Sequence, residues 1–193
     1  MEECKNPITC ACSFSGIRPA MVDLPYPPVQ VREQNPAYAN LLSIDYCGSV
    51  SELSAITQYI NNENRLAPEN CPLARTLLGI AMAEMMHLQH LGELICLLGG
   101  PVDYTARMRN GNQRMWTPEY LTLPEHTEKM LLADIDAEKA AIHQYEMHRK
   151  LIQDDCVDAM IRRIILDEEY HIMLLRQLLA ECGGGRPRQN MPR

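Results

Sequence analysis

The sequence has 193 residues, 46% of them apolar and 5% aromatic, and a formal charge of −7. A chain of this length can bury one good core, and nothing in it suggests a second domain of comparable size; abundant Leu, Ile, Ala and Met beside few aromatics favour helix over strand. The negative charge argues against nucleic acid, whose binders need a basic patch. No run reaches the ~20 apolar residues of a membrane span, so a soluble, intracellular protein with no membrane partner is expected.

Residues 1–34 hold Pro19, Pro25, Pro27 and Pro28, which prevent regular helix and predict an extended arm. Ile17, Met21, Val22, Leu24, Tyr26, Val29 and Val31 make it more apolar than a solvated tail, so it is expected to make contacts between chains. The first helix opens at Asn35-Pro36 and continues through Leu42, Leu53, Ile56 and Ile60 to about Leu66, bent at Gly48. A second fits from Pro72 to Leu98, where Gly99, Gly100 and Pro101 stop it.

Residues 101–124 show no helical period and form a crossover long enough to run the length of a bundle. The third helix fits from about Glu125 to Ile152. The fourth fits from Asp155, read as its N-cap, to Glu181, with Gly183 to Gly185 ending it and residues 183–193 forming a flexible tail. The short connections make each helix pair an antiparallel hairpin. The expected fold is all-α, an antiparallel four-helix bundle over residues 35–182 with one long crossover between the second and third helices. The eight cysteines are scattered in a chain too large to need stapling and are expected as reduced thiols. Cys10 and Cys12 form a lone C-x-C, and no pair of C-x-x-C elements offers a rubredoxin-type iron site.

The two hairpins share a pattern. Residues 52–59 and 138–145 both read E-x-x-A-I-x-Q-Y, and Glu84 to His87 and Glu168 to His171 both read E-x-x-H. At about 100° per residue, Glu84 and His87 lie on one face. That face also carries Leu77, Ile80, Leu91 and Leu98, while Glu168 shares its face with Ile161, Ile164, Ile172 and Leu175. Glu52 and Glu138 likewise stand among Ile56, Ile60, Leu131, Ile135 and Ile142. Four carboxylates therefore point into the core, where each would cost several kcal/mol unless neutralised.

Two divalent cations would cancel the charge, with His87 and His171 as nitrogen ligands; such mixed ligation suits iron, manganese or zinc. A lone E-x-x-H is usually a solvated pair, but two of them, each preceded by an inward Glu on a matching helix, reverse that reading. Tyr59 and Tyr145 lie two turns from their Glu on the same face and are placed to hydrogen-bond a ligand carboxylate. His90, His143 and Glu169 rotate away and are read as surface residues, and Met85 as packing.

On these residues the chain, over about 36–181, resembles the ferritin-like di-metal carboxylate superfamily. The run Glu52 to Tyr59 and the run Leu166 to Ile172 look like the ligand-bearing helices of bacterioferritin, and rubrerythrin-type proteins are also similar. The resemblance implies Glu52, Glu84, His87, Glu138, Glu168 and His171 as the ligand set for two iron or manganese ions per chain. Met85 stands where the resemblance would put a haem-binding Met, though no haem is expected. Ala141 occupies the place of the extra rubrerythrin Glu. Tyr26-Pro-Pro-Val29, Asn35-Pro36 and the Gly48 region add a slighter likeness to manganese catalases of the spore-coat type.

The leading functional expectation is a di-metal oxidoreductase acting on hydrogen peroxide or dioxygen, catalase- or peroxidase-like. The alternatives are a ferroxidase or iron-binding protein, and a structural coat or filament protein. A homo-oligomer through bundle faces and the arm is expected.

Overall fold

The computed structural model describes residues 12–184. Helices α1 (Pro36–Cys47), α2 (Glu52–Leu66), α3 (Cys71–Leu97), α4 (Thr127–Arg149) and α5 (Asp155–Gly184) follow in chain order, with strands β1 (Thr105–Arg107) and β2 (Gln113–Met115) between α3 and α4. The bundle pairs α2 with α3 and α4 with α5, the hairpins expected from the short connections. None of the helices among the described residues is long and apolar enough to cross a membrane.

The expected first helix is two helices. Asn35 caps α1 by accepting from the amides of Ala37 and Tyr38, with Pro36 in the first turn. At Gly48 the chain leaves the helix so tightly that a Cβ there would lie 2.6 Å from the Ile44 carbonyl oxygen, a close approach only glycine allows. Ser51 then caps α2, accepting from the Ser54 amide. This new start puts Glu52 in the first turn of α2, where the helix dipole favours a carboxylate.

Two further boundaries differ from expectation. Asp154, not Asp155, caps α5, its Oδ1 accepting from the amides of Cys156 at 2.9 Å and Val157 at 3.2 Å. The helix also continues through Gly183 to Gly184; each glycine costs about 1 kcal/mol of propensity, too little to end a long helix by itself.

The crossover descends along α1 and α2. The Arg107 amide donates to Ser43 Oγ (2.9 Å), Trp116 Nε1 to Ser54 Oγ (3.0 Å), the Thr122 amide to Gln58 Oε1 (2.9 Å) and Arg65 Nη1 to the Pro124 carbonyl (2.8 Å). A two-stranded antiparallel hairpin pairs Thr105 with Met115 and Arg107 with Gln113. Strands of three residues are too short to show an alternating pattern, so the sequence predicts none here.

Cys12 and Cys71 form a disulfide, against the expectation of reduced thiols. Chain size argued correctly for the bundle core but not for an arm with no core of its own, which the link ties to the start of α3. Closing a loop of this length contributes about 4 kcal/mol in the chain-entropy account. Cys47, Cys96, Cys156 and Cys182 are free, and Cys4 and Cys10 lie outside the described residues.

From Cys12 to Gln34 the arm is extended and lies on its own bundle. The Ala20 amide donates to the Gly79 carbonyl at 2.8 Å and the Asn35 amide to the Leu98 carbonyl at 3.0 Å, while the Arg32 amide donates to Asp154 Oδ2 at 2.8 Å. Of the apolar arm residues that suggest contacts between chains, Tyr26, Val29 and Val31 pack against the core of their own chain, while Leu24 is exposed.

The apolar core falls into two clusters. One gathers Leu91 to Leu98, Ile161 to Ile165 and Tyr145 around α1; the other gathers Leu73 to Ala81, Leu131, Ile135, Tyr59 and Leu175. Ile56, Ile60 and Ile142, expected inside, are half-buried; the buried positions of α2 are instead largely polar, Glu52, Ser54, Gln58, Asn62 and Glu63 among them. Between the clusters lies a polar layer.

Candidate metal centre

That layer holds all six expected ligands. Glu84, His87 and His171 are 0% exposed, Glu168 1%, and Glu52 and Glu138 3%. Their ligand atoms form two overlapping groups, each with its atoms within 4.8 Å of one another: Glu52, Glu84, His87 and Glu168 in one, Glu84, Glu138, Glu168 and His171 in the other. Glu84 and Glu168 belong to both groups. Each group otherwise has its own Glu and its own His, so the sequence repeat becomes a pseudo-twofold site.

Both imidazoles present Nδ1 to the carboxylates. His87 Nδ1 lies 2.8 Å from Glu84, 3.3 Å from Glu168 and 3.5 Å from Glu52. His171 Nδ1 lies 2.9 Å from Glu168, 3.2 Å from Glu84 and 3.6 Å from Glu138. The outer nitrogens face acceptors: His87 Nε2 is 3.2 Å from Asp167 Oδ2, and His171 Nε2 is 2.8 Å from the Ala20 carbonyl oxygen. A carbonyl can only accept, so Nε2 carries the proton and Nδ1 is left to bind a cation.

Burial and the repulsion of Glu84 and Glu168 push Glu52 and Glu138 well above the usual carboxylate range. Burial acts upward on Glu84 too, but His171 and His87 outweigh it and hold that carboxyl low. Burial would lower both imidazoles, yet the surrounding carboxylates, Glu168 foremost for His87 and Glu84 for His171, hold them well above the usual value. Without metal the layer relies on protons at Glu52, Glu138 and both imidazoles to hold its charge down. A pair of cations would take the place of those protons, and Glu84 Oε1 is buried without a hydrogen-bond partner. The donor set therefore fits a pair of cations, in the oxygen-rich mixed ligation of iron or manganese.

Tyr59 and Tyr145 both reach ligand carboxylates, with partners exchanged between hairpins. Tyr59 donates to Glu138 and Tyr145 to Glu52, so each phenol serves the Glu of the other hairpin rather than that of its own helix. Behind them the repeat goes on. Gln58 Nε2 donates to Asp134 Oδ1 (2.7 Å) and Asn62 Nδ2 to both Asp134 oxygens (3.1 Å). Gln144 Nε2 donates to Asp45 Oδ1 and His148 Nδ1 meets Asp45 Oδ2, both at 2.8 Å. The motif thus extends three residues beyond Tyr, to Asn62 and His148.

Sequence reasoning missed the groups around His87. Asp167 is fully buried, pairs with Arg163 Nη1 at 2.7 Å, and accepts from Tyr26 at 2.6 Å and from the Val22 amide at 2.8 Å. Burial would raise its carboxyl, but these donors and His87 bring it down to about 2. The available signal was Arg163, four residues before Asp167 on the apolar face. His90, read as a surface residue, has both ring nitrogens buried without partners and lies 4.6 Å from the Tyr26 ring; the arm covers it, and burial lowers its pKa. His143, Glu169 and Met85 are exposed.

No family model matches the chain. It is 29% identical over 168 residues to a probable manganese catalase of Clostridium acetobutylicum, covering 78% of this chain and 74% of that one. The fold superposes on the crystal structure of KatB, a manganese catalase from Anabaena PCC7120, with a TM-score of 0.73 and 27% identity over 89% of this chain and 84% of that one. Mycobacterium tuberculosis bacterioferritin, BfrA, gives a TM-score of 0.65 at 23% identity, over 78% and 89% of the two chains, a likeness of fold alone. These relations support the likeness to the ferritin-like di-metal carboxylate superfamily. The manganese-catalase likeness, slighter in the sequence motifs, is the stronger of the two.

Proposed function

We propose that this chain is a di-manganese oxidoreductase that disproportionates hydrogen peroxide. The observation that carries the reading is the pair of overlapping four-residue groups sharing Glu84 and Glu168. Glu84 and Glu168 would bridge two ions, Glu52 and His87 would complete one, and Glu138 and His171 the other. Bound manganese would supply the two-electron redox capacity that peroxide disproportionation requires. Manganese is preferred to iron because the more similar relatives are described as manganese catalases.

The chain's own residues set the conditions for that chemistry. The two apolar clusters keep bulk water from the layer, which strengthens every charge interaction inside it. Asp167 and the Ala20 carbonyl fix the tautomers of His87 and His171, and Tyr145 and Tyr59 hold Glu52 and Glu138 in place by hydrogen bonds. Disproportionation of two peroxides to two waters and dioxygen needs no outside reductant, consistent with a sequence lacking a rubredoxin-type site. Association between copies, if the arm stays on its own bundle, would use the bundle faces.

Oxygen evolution from peroxide by protein loaded with manganese tests this reading. The loaded chain is expected to evolve oxygen, and Glu52→Ala or His171→Ala to abolish it with helix content unchanged by circular dichroism. Manganese- and iron-loaded protein both inert to peroxide, with and without a reductant, defeats it.

A further inference from the structure

The two histidines are held by different kinds of group. The repeat aligns Asp167-Glu168-x-x-His171 with Ala83-Glu84-x-x-His87. Asp167 on α5 accepts from His87 on α3, but at the corresponding place on α3 stands Ala83, which has nothing to offer His171. The arm fills the gap, its Ala20 carbonyl taking the proton on His171 Nε2 at 2.8 Å.

Several features hold that carbonyl. The Ala20 amide donates to the Gly79 carbonyl, and Gly79 is where the arm crosses α3: a Cβ there would come within 3.2 Å of the Arg18 carbonyl oxygen and 3.7 Å of the Ala20 Cβ. Downstream, the Val22 amide is bound by Asp167, while Arg163 donates to the carbonyls of Leu24 at 2.8 Å and Val22 at 3.1 Å. Upstream, the disulfide ties Cys12 to α3.

Resting on the di-metal reading above, we propose that the N-terminal arm is part of the metal centre, with Ala20 as the positioning residue for His171 through its carbonyl oxygen. The arm thereby gives the two ions unequal support. The ion on Glu52 and His87 is backed by a charged carboxylate on a helix, and the ion on Glu138 and His171 by a neutral carbonyl on a strap that can be lifted. Loss of a partner of this kind typically weakens metal binding 10–100-fold.

Two full-length variants lift the strap without touching a ligand. Gly79→Leu fills the crossing point, and Ala20→Pro removes the amide that anchors the carbonyl. Each is titrated with Mn(II) against a competing chelator, with the electron paramagnetic resonance spectrum recorded at each step. The expected result is one ion per chain held as in the unaltered protein and the other about 10–100-fold weaker, with the six-line spectrum of isolated Mn(II) replacing that of a coupled pair. Helix content is expected to stay unchanged. Both ions retained at full affinity in both variants overturns the proposal, as does simultaneous loss of both ions, which would mean that the arm only supports the scaffold. An unaltered protein that takes up no pair of ions defeats the di-metal reading instead.

Discussion

The hairpin of α2 and α3 and the hairpin of α4 and α5 carry the same ligands and differ in what surrounds them. Toward the centre they agree residue for residue: Glu52 with Glu138, Glu84 with Glu168, His87 with His171. Away from it they part. One half has Asp134 between two amides, Gln58 and Asn62; the other has Asp45 between Gln144 and the imidazole of His148. One histidine is backed by Asp167 and the other by the Ala20 carbonyl. Charge balance constrains the inner groups, since each half must supply the same donors, whereas the outer groups need only supply a hydrogen bond and are free to differ in chemistry.

The largest expected effect breaks the pairing itself. Glu84 and Glu168 belong to both ligand groups, whereas Glu52 belongs to one. Glu84→Ala or Glu168→Ala is therefore expected to lose both ions, and Glu52→Ala to retain the ion on Glu138 and His171. Metal per chain after dialysis against a chelator separates the cases. Equal retention by Glu84→Ala and Glu52→Ala would remove the distinction between bridging and terminal carboxylates.

The symmetric part of this centre was legible in the sequence because ligand spacing on a helix is a local property: E-x-x-H puts both side chains on one face in any helix that forms. The crossover was legible as a long aperiodic stretch, though not its short β-hairpin. The outer shell was not legible, because Ala20 acts through a main-chain carbonyl, which carries no residue signature. Asp167 looked like one more acidic residue beside Glu168 until Arg163, Tyr26 and the Val22 amide were seen around it. The Cys12–Cys71 pairing spans 59 residues and depends on where the arm docks, which its composition does not say.

A smaller effect tests how alike the two buried aspartates are. Burial raises Asp134 to about 6, with hydrogen bonds from Gln58 and Asn62 opposing it. The folded state then holds its proton more tightly than the unfolded state, whose carboxyl titrates near 4. This group's contribution is fully favourable below about pH 4 and is lost as pH rises through about 6. Asp134→Asn abolishes that loss, so its stability relative to the unaltered protein should improve by on the order of 2–3 kcal/mol between pH 4 and pH 7. Urea unfolding of the metal-free proteins at both pH values measures it, and parallel pH dependences would show that the carboxylate is not penalised. Burial raises Asp45 as well, with His148 and Gln144 opposing it, so Asp45→Asn is expected to change the pH dependence in the same direction.

The smallest effect concerns the two phenols. Their spacing suggests that each Tyr supports the Glu seven residues before it on its own helix, but Tyr59 donates to Glu138 and Tyr145 to Glu52. A hydrogen bond to a carboxylate contributes about 1.5–3 kcal/mol at most, and the remaining ligands will absorb part of its loss, so a drop in affinity of about 3–10-fold is expected from Tyr→Phe. The exchanged partners decide which ion is affected. In a Glu52→Ala background only the ion on Glu138 and His171 is expected to remain, so Tyr59→Phe should weaken it further while Tyr145→Phe leaves it unchanged. The two double variants, titrated with Mn(II), form a cycle in which only a contacting pair shows coupling. If Tyr145→Phe weakened the remaining ion as much as Tyr59→Phe does, the phenols would be acting through general packing of the layer and not through the carboxylates they touch.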